Sequence, residues 1–232
     1  VTNTGIVTGV ASGEVYFTYY NLATGCSSIT DVPIVVIAKK VLSLNGPSSI
    51  CIGSTTSMNP STGGTWASNN PSVATINNSG VITGISEGNA TFVFTDNATG
   101  CVSNNSPVVT IYSKPSVSIT GPGNICIGSN TTLSPTSGGT WTSSNTAVAT
   151  VSNSGIVTGI SLGSANFIFF ETNSSCVSDP TNDINVVPKP TTSITGSNVI
   201  CIGSTTTLAP TSGGSWISNN PVVATINNSG VV

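Results

Sequence analysis

The sequence contains neither histidine nor arginine, and charged residues make up only 5% of its 232 positions. Ordinary soluble proteins carry about 25% charged residues. The chain has four lysines and a net charge of −3, so it offers no basic patch, and we expect no nucleic-acid partner. No apolar run approaches the roughly 20 residues that a membrane-spanning helix needs. We therefore expect no membrane insertion in this segment.

The missing histidine also limits the chemistry that the chain can perform. Neither a serine nor a cysteine nucleophile has the imidazole base that ordinarily activates it. The seven carboxylates do not recur as close pairs, as acid–base catalysis or a calcium site would require. The six cysteines include no Cys-x-x-Cys spacing, which argues against a zinc site. We expect no enzyme, no cofactor and no metal.

The feature that dominates the sequence is an internal repeat. The phrase VTNTGIV at position 1 recurs as INNSGVI at 76, VSNSGIV at 151 and INNSGVV at 226, so the starts are evenly spaced with a period of 75. A fixed period of this kind indicates a tandem array of one structural unit. It predicts a complete repeat at 39–114 and another at 115–189. Residues 1–38 are then the C-terminal part of one repeat, and residues 190–232 the N-terminal part of another.

Within each repeat the pattern indicates short strands. Segments such as NATFVFT alternate apolar and polar residues with period two, which is typical of a half-buried strand. Turn signals rich in glycine and asparagine follow roughly every 8–12 residues, and no helical periodicity is present. About seven short strands per repeat predict an all-β fold made of tandem immunoglobulin-like sandwiches.

Bulky residues recur at fixed positions and are the predicted core. Such a position could be a ligand platform, but a sandwich needs bulk there, so burial between the sheets is the expected role. The set is Trp66, Trp141 and Trp216, with Phe17, Phe92 and Phe167.

The stretch GGTWASNNPSVATINNSGVITGISEGNATFVFT resembles the bacterial immunoglobulin-like domain, group 2. The likeness lies in the Trp and Asn-Pro turn, the Val-Ala-Thr strand, the Gly-Val-Ile-Thr-Gly strand and the small-residue strand that follows. It recurs in every repeat and spans about half of each. The resemblance implies an immunoglobulin-like sandwich that acts as a tandem spacer in a bacterial surface filament or adhesin. The cysteines and the scarcity of charge depart from the common family pattern.

The cysteines predict structural disulfides, which imply an oxidising, extracellular compartment. Linking sequence neighbours such as Cys26 and Cys51 would fold back a segment that runs from one repeat into the next. About 14 extended residues would separate its ends by some 45 Å, whereas a disulfide needs Cα atoms within about 7 Å. The longer of the two recurring gaps keeps each bond inside one repeat. We therefore predict Cys51–Cys101 and Cys126–Cys176, with Cys201 bonded to Cys26 of the next copy.

Two function hypotheses remain. The first is a structural segment of an extracellular bacterial filament or adhesin stalk, whose partner is itself, head-to-tail along a fibre. The low charge also favours side-by-side association. The alternative is a cell-surface binding module whose loops, such as SNNPS and TSGGT, recognise a glycan or a host protein. Binding loops usually diversify, whereas these loops repeat almost unchanged, so the structural hypothesis is preferred.

Overall fold

A computed structural model describes residues 5–232, and it is all-β: these residues form 24 short strands and no helix. It follows that no helix in the described part of the chain could cross a bilayer. The strands are rich in Val, Ile, Thr and Phe, residues that fit a pleated surface packed on one face. Two complete immunoglobulin-like sandwiches follow one another along the chain, and a partial one flanks them on each side.

The N-terminal segment is a partial sandwich of four strands. They are β1 (Gly13–Val15), β2 (Thr18–Tyr20), β3 (Ser27–Ile29) and β4 (Ile34–Val36). β1 pairs with β4, and β2 pairs with β3. Gly13 lies opposite Val36, as Gly88 lies opposite Ile111 one repeat later. The N-terminal segment thus keeps the internal register of a complete sandwich.

The first complete sandwich contains nine strands in three sheets. The strands are β5 (Ser43–Asn45), β6 (Ser49–Cys51), β7 (Thr55–Asn59), β8 (Gly64–Ser68), β9 (Ala74–Ile76), β10 (Val81–Gly84), β11 (Gly88–Ala90), β12 (Phe92–Asp96) and β13 (Val109–Tyr112). The sheets have the orders β5-β7-β10-β9, β11-β13-β6 and β12-β8. All pairings are antiparallel except that of β6 with β13.

The second complete sandwich repeats this topology. The strands are β14 (Ser118–Ile119), β15 (Asn124–Cys126), β16 (Asn130–Ser134), β17 (Gly139–Ser143), β18 (Ala149–Val151), β19 (Ile156–Gly159), β20 (Gly163–Ala165), β21 (Phe167–Glu171) and β22 (Ile184–Val187). Its sheets are β14-β16-β19-β18, β15-β22-β20 and β17-β21. Its parallel pair is β15 with β22.

The C-terminal segment is again partial. It contains β23 (Ser193–Ile194) and β24 (Leu208–Ala209), which pair with each other in antiparallel orientation. The repeat boundaries at 38/39, 114/115 and 189/190 stay a prediction.

The predicted count of about seven strands is too low, in part because one extended segment serves two sheets. β11 pairs with β13, and β12, which begins two residues after β11 ends, pairs with β8. The single residue between them, Thr91, accepts the backbone N–H of Asn69 through its carbonyl. A strand that passes from one sheet to the other closes the sandwich without a loop. The alternation of apolar and polar residues continues unbroken through this segment, so the sequence does not reveal the change of sheet.

The core lies between these sheets. Along β11, β12 and the residue between them, the side chains of Ala90, Phe92 and Phe94 are buried, whereas those of Thr91 and Val93 are half-exposed. The same alternation along β20 and β21 buries the side chains of the corresponding residues of the second sandwich, Ala165, Phe167 and Phe169. Each buried aromatic or aliphatic side chain contributes about 1.5–3 kcal/mol through removal of apolar surface from water.

The phrase that marks the repeat forms a tight turn before β10. The side-chain oxygen of Asn77 accepts the N–H groups of Ser79 and Val81, both at 3.0 Å. Gly80 follows with φ +79°, a conformation that favours glycine. The carbonyl of Gly80 accepts the N–H of Met58 at 2.8 Å, which fixes the turn against β7. The turn therefore sets the register of three strands, which explains why its sequence recurs.

Candidate functional site

The candidate site is the junction between the two complete sandwiches, and its geometry follows from the parallel pair β6–β13. Tyr112, the last residue of β13, lies opposite Cys51, the last residue of β6. The N–H of Ile52 donates to the carbonyl of Tyr112 at 2.9 Å. Because the chain leaves the sandwich just after Tyr112, Cys51 lies where the next sandwich begins. We call this the trailing end of the sandwich.

The opposite, leading end is where the chain enters the sandwich, and it carries the turn that follows β12. Lys39, which precedes the first strand, donates to Oδ1 of Asn104 at 3.3 Å. Lys40 forms an ion pair with Asp96 at 3.2 Å. One repeat later, Lys114 forms an ion pair with Asp179. These contacts place the segments around Cys101 and Cys176 at the leading ends of their sandwiches.

A disulfide joins the two sandwiches across this junction. Cys51 at the trailing end of the first sandwich is bonded to Cys176 at the leading end of the second, with Cα atoms 5.7 Å apart and a sequence separation of 125 residues. Cys176 is fully buried. The bond spans the short segment from Tyr112 to Ser118 that connects the sandwiches. The junction is therefore held by two covalent paths, the backbone and the disulfide.

This connectivity corrects the pairing predicted from the sequence. The structure contains neither Cys51–Cys101 nor Cys126–Cys176, because in each sandwich the first cysteine lies at the trailing end and the second at the leading end. Cys101 and Cys126 are half-buried free thiols, and Cys26 and Cys201 are exposed free thiols. The spacing of the cysteines within one repeat was compatible with an intradomain bond, but the strand order places the two thiols at opposite ends.

Asp96 organises the turn at the leading end of the first sandwich. Its Oδ1 accepts the N–H groups of Ala98 at 2.9 Å and Thr99 at 3.0 Å. The Lys40 ammonium beside it holds the pKa of this carboxyl below its usual value; burial opposes this with a smaller effect, and the two backbone bonds lower the pKa further. No sequence signal pointed to this pair, because Lys40 does not recur in the other repeats.

We predict that Asp96→Asn flattens the acid dependence of stability. A depressed folded-state pKa stabilises the fold above the unfolded value, about 3.9, and this stabilisation is lost as the pH falls through the folded-state value. Asparagine keeps the turn, as Asn21 does in the N-terminal segment, where its Oδ1 accepts the N–H of Ala23 at 3.0 Å. Thermal unfolding at pH 7 and pH 3 measures the difference. The drop in melting temperature between the two should be smaller in Asp96→Asn than in the wild type.

Asp179→Asn is the matched control for this prediction. Its side chain is 77% exposed, and exposed ion pairs contribute only about 0–1 kcal/mol. The control should therefore follow the wild-type pH profile closely. Equal profiles for the wild type and Asp96→Asn would contradict the role assigned to the Lys40–Asp96 pair.

The predicted core aromatics have different surroundings in the complete and the partial sandwiches. Trp66 and Trp141 are buried, and each indole N–H donates to the carbonyl of a proline six residues earlier, at 3.0 and 2.9 Å. Phe92 and Phe167 are fully buried. Trp216 keeps the same bond, to Pro210 at 2.9 Å, but is only half-buried, as is Phe17.

The loops proposed for binding are tied to the sandwich itself. The side-chain amide of Asn69 donates to Thr91 at 2.9 Å and to Asn105 at 3.1 Å. Asn70 accepts the hydroxyl of Ser72 at 2.8 Å. Within residues 5–232, no group of three or more Cys, Asp or Glu side chains is placed to hold a metal ion.

Comparison with known proteins identifies the domain type. The family model described as "Bacterial Ig-like domain (group 2)" matches residues 51–105 and 129–175, one segment in each complete sandwich. The two matches begin at Cys51 and Ser129 and include Trp66 and Trp141, so both fall on the repeat already described. No curated protein matches the sequence.

Several solved structures are similar in fold. A C-terminal 282-residue fragment of intimin, solved with the intimin-binding domain of its translocated receptor, has 12% identity and a TM-score of 0.39 over 68% of this chain and 66% of that one. Domains 4 and 5 of the S-layer protein SbsC have 18% identity and a TM-score of 0.28 over 65% of this chain and 100% of that one. Fibronectin(III)-like modules of Clostridium thermocellum CbhA have 13% identity and a TM-score of 0.27 over 64% and 94%. Likenesses this weak carry no information on function.

Proposed function

Because this chain carries tandem bacterial Ig-like domains of group 2, we propose that it is a structural segment of an extracellular bacterial filament or adhesin stalk. The observation that carries the proposal is the covalent junction. A disulfide between consecutive sandwiches limits their relative movement, which a load-bearing stalk requires and an independent binding domain does not. The bond also fits an oxidising compartment outside the cytoplasm.

The connection between the sandwiches supports the same function. The segment between Tyr112 and Ser118 is only five residues long, contains Pro115 and has no glycine, so it is short and restricted. Within this segment, Lys114 forms an exposed ion pair with Asp179 of the second sandwich. One rigid step repeated along a chain generates a fibre, and the sequence repeat supplies one such step per sandwich.

The binding-module alternative receives less support. The loops SNNPS and TSGGT would have to present free polar groups to a glycan or a host protein. Asn69 and Asn70 instead use their side chains within the domain. In TSGGT, Gly139 packs so closely that a Cβ there would lie 1.9 Å from the carbonyl oxygen of Phe170. These loops therefore make contacts within the domain, which leaves fewer free polar groups for a ligand.

Negative-stain electron microscopy of the oxidised chain tests the proposal. We expect unbranched threads formed by head-to-tail association, about 3 nm wide, which is the diameter of one domain of this size. A sample treated with reductant is the control and should give shorter, more strongly bent threads. Compact particles the size of one chain, closed by residues 5–38 folding onto residues 190–232 of the same molecule, would contradict the stalk.

A further inference from the structure

The disulfide between the two complete sandwiches changes the path that tension takes through the chain. We propose that the Cys51–Cys176 bond is a mechanical bypass. A pull along the chain passes from residues 39–51 through the disulfide into residues 176–187, and residues 52–175 carry none of it. The two sandwiches resist lengthening while the bond is intact and lengthen only after it is reduced. The proposal rests on the load-bearing stalk proposed above and specifies which strands bear the load.

The shortest covalent route through the two sandwiches uses the disulfide rather than the backbone. Along the backbone Cys51 and Cys176 are 125 residues apart, and that stretch contains β7 to β21 and the connection between the sandwiches. The disulfide joins the same two residues directly. Covalent dimensions fix the reach of a chain, whereas hydrogen bonds between strands yield under load. Stretching therefore tightens the shorter route and leaves the longer one slack.

In the first sandwich the loaded segment is residues 39–51, which run from the leading end to the trailing end. The two lysines at its start contact Asn104 and Asp96. Further along, β5 pairs with β7, and β6 pairs with β13 up to its last residue. Between these strands the carbonyl of Ser48 accepts the N–H of Thr110 at 2.9 Å. The loaded segment is thus held on the sandwich along most of its length.

In the second sandwich the loaded segment is residues 176–187, which also run from the leading end to the trailing end. The first half lies along β21, where Val177 forms a bridge with Phe170 and the N–H of Ser178 donates to the carbonyl of Phe169 at 2.9 Å. The second half contains β22, which lies between β15 and β20. The two loaded segments therefore cross their sandwiches in the same direction, one after the other.

Neither loaded segment has much length in reserve. A fully extended chain spans at most about 3.3–3.6 Å per residue, so each segment reaches about 4 nm. Each already crosses a domain about 3 nm in diameter. The two sandwiches together therefore gain on the order of 2 nm when these segments are pulled straight. Unfolding the 125-residue stretch would release about 40–45 nm, and the intact bond prevents this gain in length.

Most of both hydrophobic cores lies in the bypassed stretch. Trp66 and Phe94 of the first core and Trp141 and Phe169 of the second belong to it. While the bond is intact, a change in one of these side chains alters the stability of a sandwich without altering the route that carries the load. The bypass therefore separates the stability of the sandwiches from the extension of the chain.

Single-molecule pulling of the whole chain, held by tags fused to its two termini, tests the bypass. The four free cysteines are replaced by serine in every molecule, so that no other disulfide forms. Each molecule is stretched in the oxidised form and again after dithiothreitol has reduced the Cys51–Cys176 bond. In the reduction the two thiols of dithiothreitol lose two electrons and two protons, which the cysteine sulfurs gain, and the reagent closes to a cyclic disulfide.

We expect the fully stretched chain to be about 40–45 nm longer after reduction. The oxidised chain should show no unfolding step from either complete sandwich. Cys51→Ser is the matched control and should give the long extension with or without dithiothreitol. Equal lengths before and after reduction of the parent chain would overturn the bypass.

Trp66→Ala supplies a second readout, because Trp66 lies in the bypassed stretch. In the reduced chain the substitution should lower the force at which one sandwich unfolds. In the oxidised chain the force–extension curve should match that of the parent chain. An unfolding step at lower force in the oxidised chain would show that tension still reaches the core, and it would overturn the bypass.

The bypass and the stalk proposal fail on different results. If the oxidised chain lengthens as much as the reduced one but still forms threads, the bypass is wrong and the stalk proposal stands. If the oxidised chain resists lengthening but forms only compact particles, the stalk proposal is wrong. The bypass then stands as a property of two linked sandwiches.

Discussion

Replacing Trp66 by alanine should lower the free energy of unfolding of the first sandwich by about 3–5 kcal/mol. The indole is 7% exposed, and its ring lies 5.1 Å from that of Phe94 in an edge-to-face contact. Its N–H also donates to the carbonyl of Pro60 at 3.0 Å. The substitution removes the largest side chain of the core and leaves a cavity that the surrounding strands cannot fill.

Trp216→Ala is the matched control, because it removes the same side chain with the same proline contact from a position that is only half-buried. Hydrogen exchange followed by mass spectrometry resolves the two regions within one chain. Faster exchange should be confined to residues 43–112 in Trp66→Ala and should be much less pronounced in Trp216→Ala. If Trp66→Ala left the stability of the first sandwich unchanged, the indole would be a surface group and the assignment of the core would be wrong.

Replacing Gly80 by alanine should be destabilising by about 2–5 kcal/mol. Part of this effect, about 1–2 kcal/mol, is the cost of placing an L-residue at φ +79°. The rest is steric, because the new Cβ would lie 2.2 Å from the carbonyl oxygen of Met58, and relief of such overpacking typically costs about 1–3 kcal/mol. The turn would have to move away from β7, and the hydrogen bond from Met58 to Gly80 would be lost.

Gly53→Ala separates the two contributions. Gly53 has φ +83°, but nothing lies within 4 Å of its Cβ position. Chemical denaturation of the two variants should therefore show the larger loss for Gly80→Ala by a margin equal to the steric part. Equal losses would mean that backbone conformation alone explains the recurrence of glycine in this turn.

The sequence carried enough information to predict the fold, because the repeat could be checked against itself. Trp66, Trp141 and Trp216 recur with the same spacing as the Asn-Ser-Gly turns, and together they define one sandwich per repeat. The family resemblance rested on the same segments that the family model matches. The strand and turn pattern within each repeat and the spacing between repeats therefore predicted the same fold.

The disulfide pairing of the cysteines could not be predicted from the sequence. Cys51 lies at the trailing end because β6 runs parallel to β13, and this pairing joins two strands that have six others between them in the chain. The spacing of Cys51 and Cys101 is equally compatible with a bond within a sandwich and with two cysteines that face neighbouring sandwiches. The Lys40–Asp96 ion pair could not be predicted from the sequence either, since it occurs in one repeat only and depends on how the chain enters the sandwich.

Disulfide mapping of the oxidised chain tests the covalent junction most directly. After the free thiols are alkylated, cleavage after glutamate and before aspartate isolates Cys51 on fragment 31–87 and Cys176 on fragment 172–178, with Cys101 and Cys126 on fragment 96–171. The account predicts that fragment 31–87 is linked to fragment 172–178 and that reduction separates them. A link from fragment 96–171 to fragment 31–87 or to fragment 172–178 would instead show that Cys51 or Cys176 has another partner and would contradict the cross-linked junction.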